Sequence, residues 1–153
     1  MSALGYSIDT NAILTAWDLT YRPANFASFW GKMEVLFAGG RAYVTEEVVR
    51  ELSMKDDDAC AWVKRQSGFS VPLETEQIAI TRDLAKKYPV LAKERLGRMR
   101  ADGFVIALAK WKNLAVVTAE NRRGPEKIPN ICDGEGITSM ALADLISNEN
   151  WKF

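Results

Sequence analysis

The stretch YSIDTNAIL, Tyr6 to Leu14, decides how the rest of the chain reads. Tyr6 to Ile8 suits a short strand. Asp9, Thr10 and Asn11 are turn and helix-capping residues, and AILTAW begins a helix. A strand that passes through an acidic turn into a helix is the opening unit of a parallel α/β sheet. An acid beside a short run rich in Val, Ile, Thr or Ala recurs in three more places: VTEEVVREL with Glu47 and Glu51, RADGFVIALA with Asp102, and VVTAEN with Glu120. In an open parallel sheet functional groups collect beyond the carboxyl ends of the strands, so these acids are expected to meet at one edge.

Outward from that unit, Phe26, Phe29, Trp30, Met33, Leu36 and Phe37 recur at helical spacing between Asn25 and Ala38, and Gly39 and Gly40 end the helix. Arg41 to Val44 reads as a second strand, with Thr45 as N-cap of a helix to about Met54. Asp56, Asp57 and Asp58 precede ACAWVKRQ, where acids favour a helix N-terminus, so this run reads as a helix start rather than a metal site. Glu76 to Lys87 and Val90 to Arg100 are expected as two helices parted at Tyr88 and Pro89. Asp102 opens FVIALAKW, whose near-continuous apolar face suits a helix lying flat on a sheet. Leu114 to Thr118 is the most strand-like segment of the chain. A loop with Gly124, Pro125 and Pro129 follows, then a last short strand at Gly136 to Ser139. Met140 to Ser147 reads as a closing helix, with Trp151 and Phe153 folded back onto the core. This alternation predicts an α/β fold, a three-layer α/β/α sandwich with a short central parallel sheet, as one domain over residues 1–153.

Composition narrows the chemistry. Lys plus Arg equals Asp plus Glu at 20 each, so attraction for a polyanion must come from local clusters. No apolar run nears the roughly 18 residues of a membrane span, and MSALGYSID has no basic region followed by an apolar one. A cytoplasmic protein is expected, in which Cys60 and Cys132 are free thiols. The chain has no His, which removes His triads, His-metal sites and His bases together. Hydrolysis here would run on carboxylates and a metal. Mg²⁺ and Mn²⁺ take oxygen ligands and keep several waters, so a few carboxylates suit them.

Each acid also has a plainer reading. Asp102 at a helix start would also serve as a cap, and Glu47 and Glu51, four residues apart, would also fit an exposed acidic face. Lys93, Arg95, Arg98 and Arg100 lead into Asp102, and Arg122 and Arg123 follow Glu120. These cations suit phosphate contacts, or a solvated helix face in the case of Lys93 to Arg100. The five Trp residues are scattered, which favours core or interface roles over base stacking.

Taken together, these segments resemble the PIN-domain family of metal-dependent nucleases, and the resemblance spans nearly the whole chain. SIDTN resembles the motif of the family's first acid, at Asp9. VVREL resembles the second, at Glu51, with Glu47 one turn earlier as the rival. ADGFVIALA resembles the third, at Asp102, and VVTAEN the fourth, at Glu120. Asn11 and Thr118 belong to the same motifs as supporting residues. Most of the family has Asp at the fourth position; a branch with Glu there, a KIPN-like segment and an aromatic-basic-aromatic tail is closest, as in KIPNIC and WKF. The resemblance implies a Mg²⁺- or Mn²⁺-dependent endoribonuclease with Asp9, Glu51, Asp102 and Glu120 as catalytic metal ligands; the flanking Arg98, Arg100, Arg122 and Arg123 are then expected on the RNA. It also implies the toxin half of a type II toxin–antitoxin pair, with an RNA substrate, an antitoxin partner and a homodimer. The other readings are an RNA-processing nuclease that is not a toxin, and an idle PIN-like scaffold binding RNA or protein. A phosphatase with an aspartyl nucleophile fits less well, because the second Asp it commonly has two positions on is Asn11 here.

Overall fold

The computed structural model describes residues 4–66, 70–71, 74–92, 94–95, 98–99, 101–121 and 124–153, with backbone alone at 70–71, 94–95 and 98–99. In chain order the elements are β1 (Tyr6–Ile8), α1 (Thr10–Thr15) running on into a π turn (Ala16–Thr20), α2 (Ala27–Ala38), β2 (Ala42–Thr45), α3 (Glu46–Lys55) and α4 (Asp57–Lys64). Then come β3 (Ser70–Val71), α5 (Thr75–Lys87), a 3₁₀ turn (Pro89–Ala92), β4 (Glu94–Arg95) and β5 (Arg98–Met99). The chain closes with α6 (Asp102–Lys112), β6 (Ala115–Val117), α7 (Ile128–Glu135), β7 (Ser139–Met140) and α8 (Leu142–Asn148). Among the described residues no helix is long and apolar enough to cross a membrane.

Five strands form one parallel sheet in the order β3-β2-β1-β6-β7, and β4 pairs with β5 antiparallel. The order reverses at β1: the chain first works outward through β2 and β3, then returns to lay β6 on the other side of β1. Parallel crossovers are right-handed, so the two directions of travel put their helices on opposite faces, which gives the three expected layers. The central strands β1 and β6 are buried at every residue. Gly5 leads into β1 so close to the second strand that a Cβ there would stand 2.4 Å from the Arg41 carbonyl oxygen, which leaves room for glycine alone.

Helix α6 packs on β1, β2 and β6 and is covered by α5. Val105, Ile106, Ala107, Leu108 and Ala109 are all buried, as a helix apolar on every side requires. The Ser7 hydroxyl donates to the Val105 carbonyl (2.9 Å) and fixes this helix along β1. On α2, Trp30 stands edge-on between Trp17 (centroids 4.9 Å apart) and Trp62 (4.8 Å), so three of the scattered tryptophans form one core cluster. Cys60 and Cys132 are buried free thiols. Arg41 and Tyr6 both donate to the Glu149 carboxylate, which ties the end of α8 to the start of the sheet.

Several expectations are corrected. Val90 to Arg100 is not a helix but a 3₁₀ turn followed by the β4–β5 pair. Gly97, in the middle of this stretch, has poor helix propensity. The expected loop around Pro129 contains α7 instead, with Pro129 in the first turn, where its missing N–H costs no helical bond. Gly136, at φ +69°, ends α7 rather than opening a strand, and the last strand is shifted to Ser139–Met140. Trp151 does pack edge-on against Phe29 (6.0 Å), and the Phe153 ring, though 60% exposed, also lies 6.3 Å from Phe29.

Glu135 at the end of α7 accepts from Lys87 Nζ (2.8 Å), Lys110 Nζ (2.8 Å) and the Tyr88 hydroxyl (2.9 Å), joining α7 to α5 and α6. These donors, Lys110 first and then Lys87, hold its carboxyl down at about 2. Because the folded value is the lower one, the stabilisation is fully present above about 4.5, the ordinary carboxylate value, and is lost as pH falls through about 2. Glu135→Gln should cost about 1–2 kcal/mol near neutrality. Denaturant melts of wild type and variant from pH 7 to pH 2 should converge at the acid end; a gap independent of pH would show that the charge contributes nothing.

Candidate active site

The pairing of β1 with β6 places the first acid. Ile8 lies in register with Val117, and the Asp9 amide donates to the Val117 carbonyl (2.9 Å), so the next residue on each strand, Asp9 and Thr118, come side by side at the carboxyl end of the sheet. The Thr118 hydroxyl donates to Asp9 Oδ2 (3.0 Å), and the Thr10 amide donates to Oδ1 (2.9 Å), which makes Asp9 the N-cap of α1. Asp9 is 2% exposed. Asn11 Oδ1 accepts from the Ala119 amide (3.1 Å) and lies 3.3 Å from the Thr118 hydroxyl, whose single proton serves one acceptor at a time. The same hydroxyl oxygen accepts from the Glu120 amide (3.1 Å), so Thr118 organises both acids.

Helix α3 starts at Thr45, whose hydroxyl accepts from the Val48 amide, and this register separates the two glutamates. Glu47 turns to Arg50, with Oε2 2.7 Å from Nε. Glu51 is buried one turn deeper: Oε1 accepts from the Thr10 hydroxyl (2.6 Å) and Oε2 from the Ala101 amide (3.3 Å). Glu51 therefore clamps the start of α1, which carries Asp9, to the start of α6, which carries Asp102. Asp102 is the first residue of α6 and half-buried. Glu120 reaches the N-terminus of α7, where the Ile128 amide donates to Oε2 (3.2 Å) and Lys127 Nζ stands 4.0 Å from Oε1.

Burial is the largest cause that pushes the Asp9 carboxyl well above its ordinary value; the Asp102 carboxylate adds to it, and Glu120 adds less. The Thr118 and Thr10 donors oppose the rise. Asp9, Asp102 and Glu120 thus share one electrostatic neighbourhood. The donor set is carboxylate oxygen alone, the chemistry of a hard divalent ion. Among the described residues no three Asp, Glu or Cys side chains stand close enough to form a ready ligand cluster. The residues fit an ion that keeps most of its waters and takes one or two carboxylates directly, rather than one caged by protein.

Of the basic residues expected on RNA, Arg98 lies in β5, where the backbone alone is described, and Arg100, Arg122 and Arg123, like Lys93, lie outside the described residues. Two further contributors are Thr10 and Lys127. Thr10 sits inside SIDTN, but its bond to a glutamate 41 residues away leaves no local trace. Lys127 opens the KIPN segment as N-cap of α7, a basic residue at a helix start that becomes legible only once Pro129 is read as a first-turn proline.

A family model described as a domain of unknown function, DUF4411, matches residues 6–153. The chain belongs to that family. The DUF4411 match takes in all four acids and both neighbouring strands. No curated protein matches the chain. Among solved structures the chain is similar to one described as the crystal structure of FitAcB from Neisseria gonorrhoeae, at 20% identity and a TM-score of 0.49, covering 87% of this chain and 94% of that one.

A raised carboxyl value has a thermodynamic sign. The folded state holds the Asp9 proton to a higher pH than the unfolded chain does, so Asp9 weakens the ion-free fold increasingly as pH rises above the ordinary carboxylate value of about 4. Asp9→Asn keeps the shape without the charge. In chelator its melting temperature should exceed that of wild type at pH 8, and the difference should close near pH 4. An equal or lower melting temperature at pH 8 would mean that Asp9 is not under like-charge stress.

Proposed function

We propose that this chain is a metal-dependent endoribonuclease that hydrolyses RNA phosphodiester bonds at the carboxylate edge of β1 and β6. The observation that carries this reading is Asp9, sealed from water and facing the charges of Asp102 and Glu120 at the point where the strand order reverses, the usual ligand position of an open α/β sheet. Like charges gathered beyond what folding requires suit a cation. Asp9 and Asp102 would hold Mg²⁺ or Mn²⁺, with Glu120 and Glu51 as supporting carboxylates, and the ion when bound would offset phosphate charge and acidify water for attack. Thr118 and the α1 amide orient the Asp9 oxygens, and Asn11 holds the Ala119 amide that leads to Glu120. Glu51 fixes the starts of α1 and α6 through one oxygen each and keeps a lone pair on each oxygen for a further contact. RNA as substrate, and a toxin role with an antitoxin partner, rest on the PIN-like motifs at these residues.

One observation favours a binding scaffold instead: both Glu120 oxygens have protein partners, the Ile128 amide and Lys127. Cleavage of a mixed RNA pool with Mg²⁺ or Mn²⁺ against chelator decides between them. Asp9→Asn and Asp102→Asn should each lower cleavage more than about 100-fold, beyond the 10–100-fold typical when only a supporting partner is lost. Thr10→Val and Glu51→Gln should fall within that supporting range or below it. Glu47→Gln should stay within about threefold of wild type, because its carboxylate turns to Arg50 on its own helix rather than to the other acids. Cleavage that survives the chelator, or an Asp9→Asn protein as active as wild type, would overturn the nuclease reading. For the toxin role, induction of the chain alone in bacteria should arrest growth, and co-expression of the adjacent gene product should rescue it. Harmless expression of an active enzyme would favour RNA processing.

A further inference from the structure

Beside the carboxylates lies a groove of about 260 Å³. Thr15, Thr20 and Tyr21 line one side of it, Ala143 at the start of α8 lines another, and Thr118 and Ala119 carry it up to the acids. It is mainly apolar, and among the described residues that line it none is charged. Its far wall is shaped by the π turn. The Tyr21 amide reaches back five residues to the Ala16 carbonyl (2.8 Å), and the extra residue in that turn swings Thr20 and Tyr21 round beside Ala16. Such turns are rare and often mark binding sites. The Tyr21 ring is held in place by Phe29, stacked at 4.6 Å and 14°, and by the edge of Phe26 at 5.5 Å.

We propose that this groove holds the base of the nucleotide adjoining the phosphodiester at the carboxylate site, an inference that rests on the nuclease reading of that site. The two regions divide a nucleotide by its chemistry. The carboxylates repel phosphate unless a cation joins them, so the uncharged base is the part that an uncharged groove accepts. A planar ring system stacks on a fixed aromatic ring without regard to sequence. The volume lies just under the 300–1,000 Å³ range of pockets for drug-sized ligands, on the scale of one ring system rather than a folded peptide. Thr118 is both groove wall and Asp9 donor, so a base seated here has its neighbouring phosphate at the acids.

The test uses the full chain in chelator with adenosine and uridine, and ribose as control, read by amide NMR shifts. Uncharged nucleosides avoid repulsion by the acids, so binding is read independently of cleavage. The nucleosides should shift Thr20, Tyr21, Ala119 and Ala143, and ribose should not. Ala143→Phe, at an exposed helix position, fills the groove, and Tyr21→Leu removes the stacking face; each should weaken nucleoside binding about tenfold. Nucleosides that leave those residues unmoved, or wild-type binding by both folded variants, would overturn the proposal even if the chain cleaves RNA. Groove binding by a chain that cleaves no RNA in any metal would support the groove's ligand and count against the nuclease reading alone.

Discussion

Everything at the candidate site depends on the parallel pairing of β1 with β6. Side chains alternate along a strand, so a slip of one residue would move Asp9 away from Thr118 and turn its carboxylate to the other face of the sheet. The register is held from several sides. Gly5 lets β1 approach Arg41, Ser7 binds the Val105 carbonyl, and the Asp9 amide completes the ladder to Val117. The bond from Ser7 also sets α6 along β1, and Asp102 stands at the head of that helix. One strand pair therefore fixes the first acid directly, the fourth through Thr118, and the third through the helix laid across it.

The second acid plays a different part. Glu51 has one oxygen on Thr10 and the other on the Ala101 amide, so it holds together two helix starts that would otherwise diverge under the repulsion of Asp9 and Asp102. A buried carboxylate with a donor on each oxygen is satisfied, whereas Asp9 has its two donors and still carries the burden of its neighbours' charge. That imbalance is the physical content of the site. A proton relieves it at low pH, and a divalent cation would relieve it at neutral pH without giving up the charge of the ligands.

Much of this was legible in the chain. Tyr6 to Ile8 followed by Asp-Thr-Asn announced a strand, a cap and a helix, and Thr45 announced the start of α3 by the same capping chemistry. That start puts Glu47 in the first turn and Glu51 one turn deeper along the same face, since four residues make about one turn. The loop expected around Gly124, Pro125 and Pro129 holds α7, because a first-turn proline has no helical bond to break, and with α7 come Lys127 and Glu120 at its N-terminus. Val90 to Arg100 has Gly97 in its middle, and the chain there pairs as two short strands instead of a helix. The tryptophan cluster and the bond from Thr10 to Glu51 join residues far apart in the chain, and no local pattern records such contacts.

The claim that these acids form one cation site is tested most directly by crystals soaked in Mn²⁺ and measured at the manganese absorption edge. The expected result is an anomalous peak within roughly 2–2.3 Å of carboxylate oxygens of Asp9 and Asp102, with waters filling the remaining positions. A peak confined to Glu47 or to the Asp56–Asp58 run, or none at the carboxyl ends of β1 and β6 at saturating Mn²⁺, would contradict it.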